Sequence, residues 1–188
     1  MKKLIGTLYL KIIGWKVEGK MPENLDKAVM VAAPHTSNHD FPIALSTFWA
    51  LGLPVHFLIK KSWMFFPMGI FMKWAGAVAV DRGIRNKRYL IDHTVDILKN
   101  EKEQMYILIT PEGTRKFVKK WKTGFHRIAV EAGVPVITGY INYDKKVAGI
   151  GEAYKMTGDL TTDMAKLEGF YERYGKAKFP EFFNKKFC

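Results

Sequence analysis

Short, continuous apolar runs recur along this chain between segments of helical periodicity, and this alternation restricts the fold more than any other feature. Residues 28–33, 55–59, 78–80, 105–109 and 134–140 carry almost no polar face, as expected of strands buried on both sides of a sheet. Between them, residues 37–51, 86–98 and 123–132 read as helices. Residues 62–74 are apolar and aromatic but broken by Pro67 and Gly69, which predicts a loop and a short helix. Residues 15–18 read as a short strand, 147–150 as an edge strand and 159–174 as a last amphipathic helix. Strands alternating with helices predict an α/β fold, with a mostly parallel or mixed central sheet covered by helices. No repeat, linker or low-complexity segment divides residues 1–188, so a single domain is expected.

Composition narrows the class. A hydrophobic fraction of 48% excludes a disordered chain, and the single cysteine, Cys188, allows no internal disulfide. The formal charge of +12 calls for an anionic partner: nucleic acid, an anionic membrane surface or an acidic substrate. The longest stretch without a formal charge, residues 41–59, is interrupted by Pro42, Gly52 and Pro54, so two elements joined by a turn are expected rather than a membrane span. The N-terminus lacks a signal-peptide cleavage pattern, and a cytoplasmic protein is expected. Leu4, Ile5, Leu8 and Ile12 fall at helical spacing beside Lys2, Lys3 and Lys11. Residues 1–20 therefore offer an amphipathic helix that either lies on a membrane surface or packs on the domain. The aromatic residues 63–74 leave the same two alternatives.

In a sheet of this kind, sites form beyond the strand ends. The turn after residues 28–33 reads Pro34-His35-Thr36-Ser37-Asn38-His39-Asp40. Within one helix, His35 and Asp40 would point about 140° apart. Thr36, Ser37 and Asn38 are capping residues, however, and Pro42 fits a first turn. With His35 in the loop and Asp40 in that first turn, the carboxylate can reach back and hold one imidazole nitrogen, leaving the other as a general base. His126 and Glu131 share the spacing inside an expected helix and read as a structural pair. His35 and His39 have a two-ligand metal spacing, but no third ligand is evident, so no metal is expected. Further strand ends deliver Lys60, then Asp81-Arg82-Gly83, then Pro111-Glu112-Gly113-Thr114-Arg115. Cations and glycine gathered at one sheet edge suit an anionic group.

These segments, in this order, resemble the glycerolipid acyltransferase family typified by lysophosphatidic acid acyltransferase. The blocks are His35-Thr-Ser-Asn-His-Asp40, Gly76-Ala-Val-Ala-Val-Asp81-Arg82, Pro111-Glu-Gly-Thr-Arg115 and Val134-Pro135-Val136. Residues 60–69 and 121–125 also look like family segments, so the likeness spans about residues 28–142. It is closest to a short bacterial subgroup with Ala-Pro-His-Thr-Ser-Asn at the first block and Thr157-Gly158-Asp159 late in the chain. His39 departs from the aromatic residue often found there. The first block comes so early in the sequence that the large helical anchor of longer relatives is not expected.

The resemblance implies a glycerol-3-phosphate acyltransferase-like fold. It implies O-transfer of a fatty acyl group, from acyl-CoA or acyl-carrier protein, to the hydroxyl of a lysolipid. His35 would deprotonate that hydroxyl and Asp40 would orient His35. Lys60, Arg82, Glu112, Gly113, Thr114 and Arg115 would bind the acceptor's anionic head group. No bound cofactor and no covalent acyl-enzyme is implied. Lysophosphatidic acid is the default acceptor, and a lyso-aminolipid carboxylate would suit the same cations. The expected location is peripheral, on the inner face of the cytoplasmic membrane, with the anionic surface as partner. Two rivals remain: a non-enzymatic basic protein binding lipid or nucleic acid, and a metal-dependent hydrolase. No nucleic-acid motif is present and the basic residues form no single stripe, so no nucleic-acid partner is expected.

Overall fold

The computed structural model describes residues 1–80 and 87–184. Seven strands form one sheet: β1 (Lys16–Glu18), β2 (Lys27–Ala33), β3 (Val55–Lys60), β4 (Ala77–Val80), β5 (Met105–Ile109), β6 (Val136–Asn142) and β7 (Val147–Tyr154). Their order is β1-β7-β6-β2-β5-β3-β4. Strands β2 to β6 run parallel, β7 is antiparallel to β6, and β1 is parallel to β7. The expected mixed sheet is therefore present.

Alternate residues of β2 serve opposite faces, as the two-residue strand period requires. Ala28 and Met30 pack with Leu45, Phe48 and Trp49 of α2 (Asp40–Ala50). Val29, Val31 and Ala33 pack with α4 (Lys87–Asn100), α5 (Gly124–Ala132) and α6 (Leu160–Tyr174). Helix α1 (Lys2–Ile12) lies on α2, and α3 (Met68–Ala75) follows a 3-10 turn at Lys61–Trp63. The α1–α2 approach depends on Gly6, where a Cβ would strike the Ser46 carbonyl oxygen and lie 2.9 Å from Trp49 Cβ.

Two sequence expectations are corrected first, and the two segments whose packing the sequence left open are then placed. The second helix begins at Asp40 rather than residue 37, because the amides of Thr36 and Ser37 bond to the Asp40 carboxylate instead of entering a helical ladder. Residues 147–150 belong to a longer strand that is not an edge: β1 pairs along its outer side, pinned by Trp15, whose ring meets Tyr143 edge-on at 4.9 Å. Helix α1 does pack on the domain, but through Gly6 and Leu10. Its Leu4, Leu8 and Ile12 stay exposed, at 73%, 55% and 74%. The aromatic stretch is likewise not core, with Phe66 82% and Ile70 65% exposed.

His126 is structural, but its partner is Asp163 rather than Glu131. Its Nε2 lies 2.9 Å from Asp163 Oδ2, while Glu131 meets Arg88 at 3.0 Å on the surface. Asp163 is fully buried and also accepts from Thr157 N, Thr157 Oγ1 and Gly158 N. The Thr157-Gly158-Asp159 segment is thus a turn wrapped around this carboxylate, with Asp159 capping α6. Asp163→Ala would leave the Thr157 and Gly158 donors without an acceptor and unpair His126. A stability loss of about 3–5 kcal/mol is expected, measured as a fall in the urea midpoint. A loss below about 1 kcal/mol would show that α6 is held by its apolar contacts alone.

Candidate active site

The parallel register brings the chemistry together. Val31 pairs with Ile109 in β5, and Phe57 with Leu108. Continued along the strands, Ala33, Lys60 and Pro111 lie level with one another. Lys60 also pairs with Val80, the last described residue before Asp81. The turns after β2 and β5 therefore sit side by side at the carboxyl edge of the sheet, where α/β proteins build their sites.

The β2–α2 turn folds around Asp40, which is 2% exposed. Its Oδ2 accepts from the Thr36 and Ser37 amides, both at 2.7 Å, and lies 3.5 Å from His35 Nδ1. Its Oδ1 accepts from the Tyr143 hydroxyl at 2.6 Å. Burial works to raise the Asp40 carboxyl, but the hydrogen bonds from His35, Tyr143, Ser37 and Thr36 outweigh it and hold the group below its ordinary range. With Nδ1 turned towards this carboxylate, Nε2 occupies the other side of the ring. The imidazole lines a cavity of about 1,090 Å³. A histidine held in this way, with one nitrogen open to a cavity, can take a proton from a bound hydroxyl.

The other residues picked from the sequence divide into three groups. Glu112 is 2% exposed and turned inward, its Oε1 accepting from the His35 amide at 3.0 Å. Gly113 and Arg115 line the cavity together with Lys122. Gly113 has φ +65°, and a Cβ there would strike the Lys122 ammonium, so glycine both permits the turn and leaves room for that cation. Thr114 is exposed and its hydroxyl accepts from the Lys116 amide at 3.3 Å. Lys60 is exposed at the end of β3, outside the cavity lining. Arg82 lies outside the described residues. Among the described residues, neither Arg115 nor Lys122 has an acidic partner. His39 does not converge with His35: its Nδ1 lies 2.8 Å from Lys178 Nζ. No group of three metal-ligating side chains is present among the described residues.

Two contributors have no signal in the sequence. Tyr143 has no motif or periodicity to mark it, since only the fold brings the β6–β7 turn to Asp40. The segment after α6 crosses the same turn, with the Phe179 amide donating to Thr36 Oγ1 at 3.3 Å.

The acyltransferase family model matches residues 15–142. The chain belongs to the acyltransferase family and is an acyl-transferring enzyme by that membership. Its fold is similar to the crystal structure of the 1-acyl-sn-glycerophosphate (LPA) acyltransferase PlsC from Thermotoga maritima. The TM-score is 0.65 at 21% identity, with 93% of this chain and 80% of that chain covered. No curated protein sequence matches significantly.

Tyr143→Phe removes one donor to a charged, buried carboxylate. A loss of about 1.5–3 kcal/mol at pH 7 is expected from urea unfolding. Because a depressed carboxyl stabilises the fold above its unfolded pKa and ceases to do so as pH falls through the folded value, the difference from wild type should shrink on acidification. A difference independent of pH would show that the hydroxyl does not act through Asp40.

Proposed function

We propose that this acyltransferase moves a fatty acyl group from a thioester, acyl-CoA or acyl-carrier protein, to the hydroxyl of a lysolipid, with lysophosphatidic acid as the default acceptor. The observation that carries this reading is the His35–Asp40 arrangement opening on a cavity whose apolar walls also carry Arg115 and Lys122. His35 Nε2 takes the hydroxyl proton as the oxygen attacks the thioester carbonyl. The proton then passes to the departing thiolate, and Asp40 stabilises the imidazolium between the two steps. Arg115 and Lys122, with Lys60 at the end of β3 and with Arg82 by the family resemblance, attract the acceptor's phosphate or carboxylate.

Direct transfer, without an acyl-enzyme, is favoured by what the nearby hydroxyls do. Thr36 Oγ1 accepts from the Phe179 amide and Ser37 Oγ from the His39 amide at 3.2 Å, so both are buried parts of the turn. The apolar lining of the cavity includes Phe41, Ala44, Phe57, Met68 and Met72, side chains suited to an acyl chain. Trp63 and Met68 belong both to this lining and to the exposed apolar surface, so a lipid could pass from that surface to the base.

The same surface supports a peripheral location, which we assign to the inner face of the membrane. Helices α1 and α3 are neighbours, with Lys2 Nζ 5.5 Å from the Trp74 ring centroid. Leu4, Leu8 and Ile12 on α1 and Phe65, Phe66 and Ile70 around α3 are all exposed. Lysines beside this apolar surface and a net charge of +12 suit anionic lipid. No helix of the described residues is long and apolar enough to cross a membrane.

The test is thioester consumption with palmitoyl-CoA and palmitoyl-carrier protein against lysophosphatidic acid and an N-acyl amino-acid lysolipid. His35→Ala should lower turnover by about 10²–10⁴-fold with an unchanged circular dichroism spectrum. Near-normal turnover in that variant would remove His35 as the base. No turnover by wild type with any pair would favour a non-enzymatic lipid-binding protein. In vesicle sedimentation, Leu8→Asp with Phe66→Asp should weaken binding by at least about tenfold. Unaltered binding would place the membrane contact elsewhere.

A further inference from the structure

One buried ionisable group has no part in the proton transfer described above. Glu112 follows β5 in a turn closed by Gly113 N donating to the Thr110 carbonyl at 3.1 Å and Lys122 N donating to the Pro111 carbonyl at 2.9 Å. Its side chain points into the protein rather than the cavity. One oxygen, Oε1, accepts from the main-chain amide of His35. The other, Oε2, is buried and has no hydrogen-bond partner among the described residues. An ionised carboxylate could not remain so, because an unsolvated, unpaired charge is far costlier than a neutral acid in the same place.

The neighbours point the same way. The groups that face Glu112 are Asp40 and His35 of the β2–α2 turn and Tyr171 of α6, with the Lys122 ammonium over the adjacent Gly113. Asp40 already carries the negative charge of this region, held there by its donors. The single proton of the Tyr171 hydroxyl is committed to the Val31 and Gly139 carbonyls. Lys122 is exposed and outside this burial, and does not neutralise the carboxyl. Burial first, and the Asp40 charge after it, push the Glu112 carboxyl up to about 8 despite the His35 amide bond.

We propose that Glu112 is a positioning residue that works as a neutral carboxylic acid, fixing the His35 main chain through Oε1, and that loss of its proton disables the base. Ionisation would set a second carboxylate beside Asp40 in a dry pocket. The turn would have to open to solvate it, and His35 would lose its anchored backbone. This inference rests on the assignment of His35 as the base, and it gives Glu112 a task other than binding the acceptor's head group.

Two measurements separate the proton from the reaction. The first uses the enzyme without substrate and follows thermal unfolding of wild type and Glu112→Gln against pH. An acid whose folded pKa is raised costs nothing below its unfolded pKa; the cost grows as pH rises and levels off above the folded value. The stability of Glu112→Gln relative to wild type should therefore climb from about pH 4.5 to about pH 8 and then flatten. A flat difference across this window overturns the neutral-acid state. The second measurement is the pH profile of turnover. Wild type should show an alkaline fall in kcat near pH 8 that Glu112→Gln lacks. Glu112→Ala should lower kcat at least about tenfold with little change in KM for the acceptor, and Glu112→Gln, which keeps the acceptor oxygen, should restore most of that loss. An increase in KM alone in Glu112→Ala would make Glu112 a ligand of the acceptor and overturn the positioning role. Absence of turnover in wild type would defeat the acyl-transfer reading instead, while the unfolding curves would still decide the state of the proton.

Discussion

One carboxylate organises the site. Asp40 stands at the first position of α2, buried, with donors from Thr36, Ser37 and Tyr143 and the ring of His35 beside it. A buried carboxylate that lacked those donors would take up a proton or be driven to the surface. Satisfying it requires that the chain not become helical until Asp40, so that two amides can turn back to the side chain. It also requires the β6–β7 turn to place Tyr143 above α2. The helix start adds its own favourable field at that end. The geometry that makes Asp40 tolerable is therefore the geometry that leaves His35 in the loop with one nitrogen engaged.

This coupling separates what the sequence reveals from what it hides. Strands β2 and β5 are legible because both of their faces are buried, and a continuous apolar run of that length, closed by turn residues, suits a doubly covered strand. The His35–Asp40 contact is legible because capping residues between the two forbid the continuous helix that would separate them. Parallel neighbours then carry the Glu112 turn to the same edge. What stays hidden depends on contacts between distant segments. No spacing marks Tyr143 as the partner of Asp40 or Asp163 as the partner of His126, and only the packing of distant segments joins each pair. The place of β7 inside the sheet is equally hidden, because a short apolar run reads alike at an edge and one strand in.

The exposed stripe of α1 shows a different limit. Periodicity reveals that a helix has an apolar side, but not which side meets the protein. Here Gly6, a residue with no hydrophobic weight, decides the docking, because only its lack of a side chain lets α1 approach Ser46 and Trp49 of α2. The face with Gly6 and Leu10 turns inward, and Leu4, Leu8 and Ile12 turn out. With α3 alongside, the result is an apolar surface, and Trp63 and Met68 on its α3 side also line the cavity that holds His35. A lipid-modifying enzyme needs this continuity, because its substrates must leave a bilayer without their chains crossing water.

Charge sets a further condition on the site. For the proposed reaction, which gathers two anionic substrates, a thioester carrier and a lysolipid, the site has to present cations at its mouth and few negative charges within. Arg115 and Lys122 meet the first condition, having no acidic partner among the described residues. The proposed base needs Asp40 as its orienting carboxylate, and the donors to Asp40 disperse that charge. A second carboxylate in the neighbouring turn would repel the same substrates and lie beyond the reach of water. Kept neutral, Glu112 supplies the hydrogen-bond acceptor that the His35 backbone requires without the charge that the substrates could not tolerate.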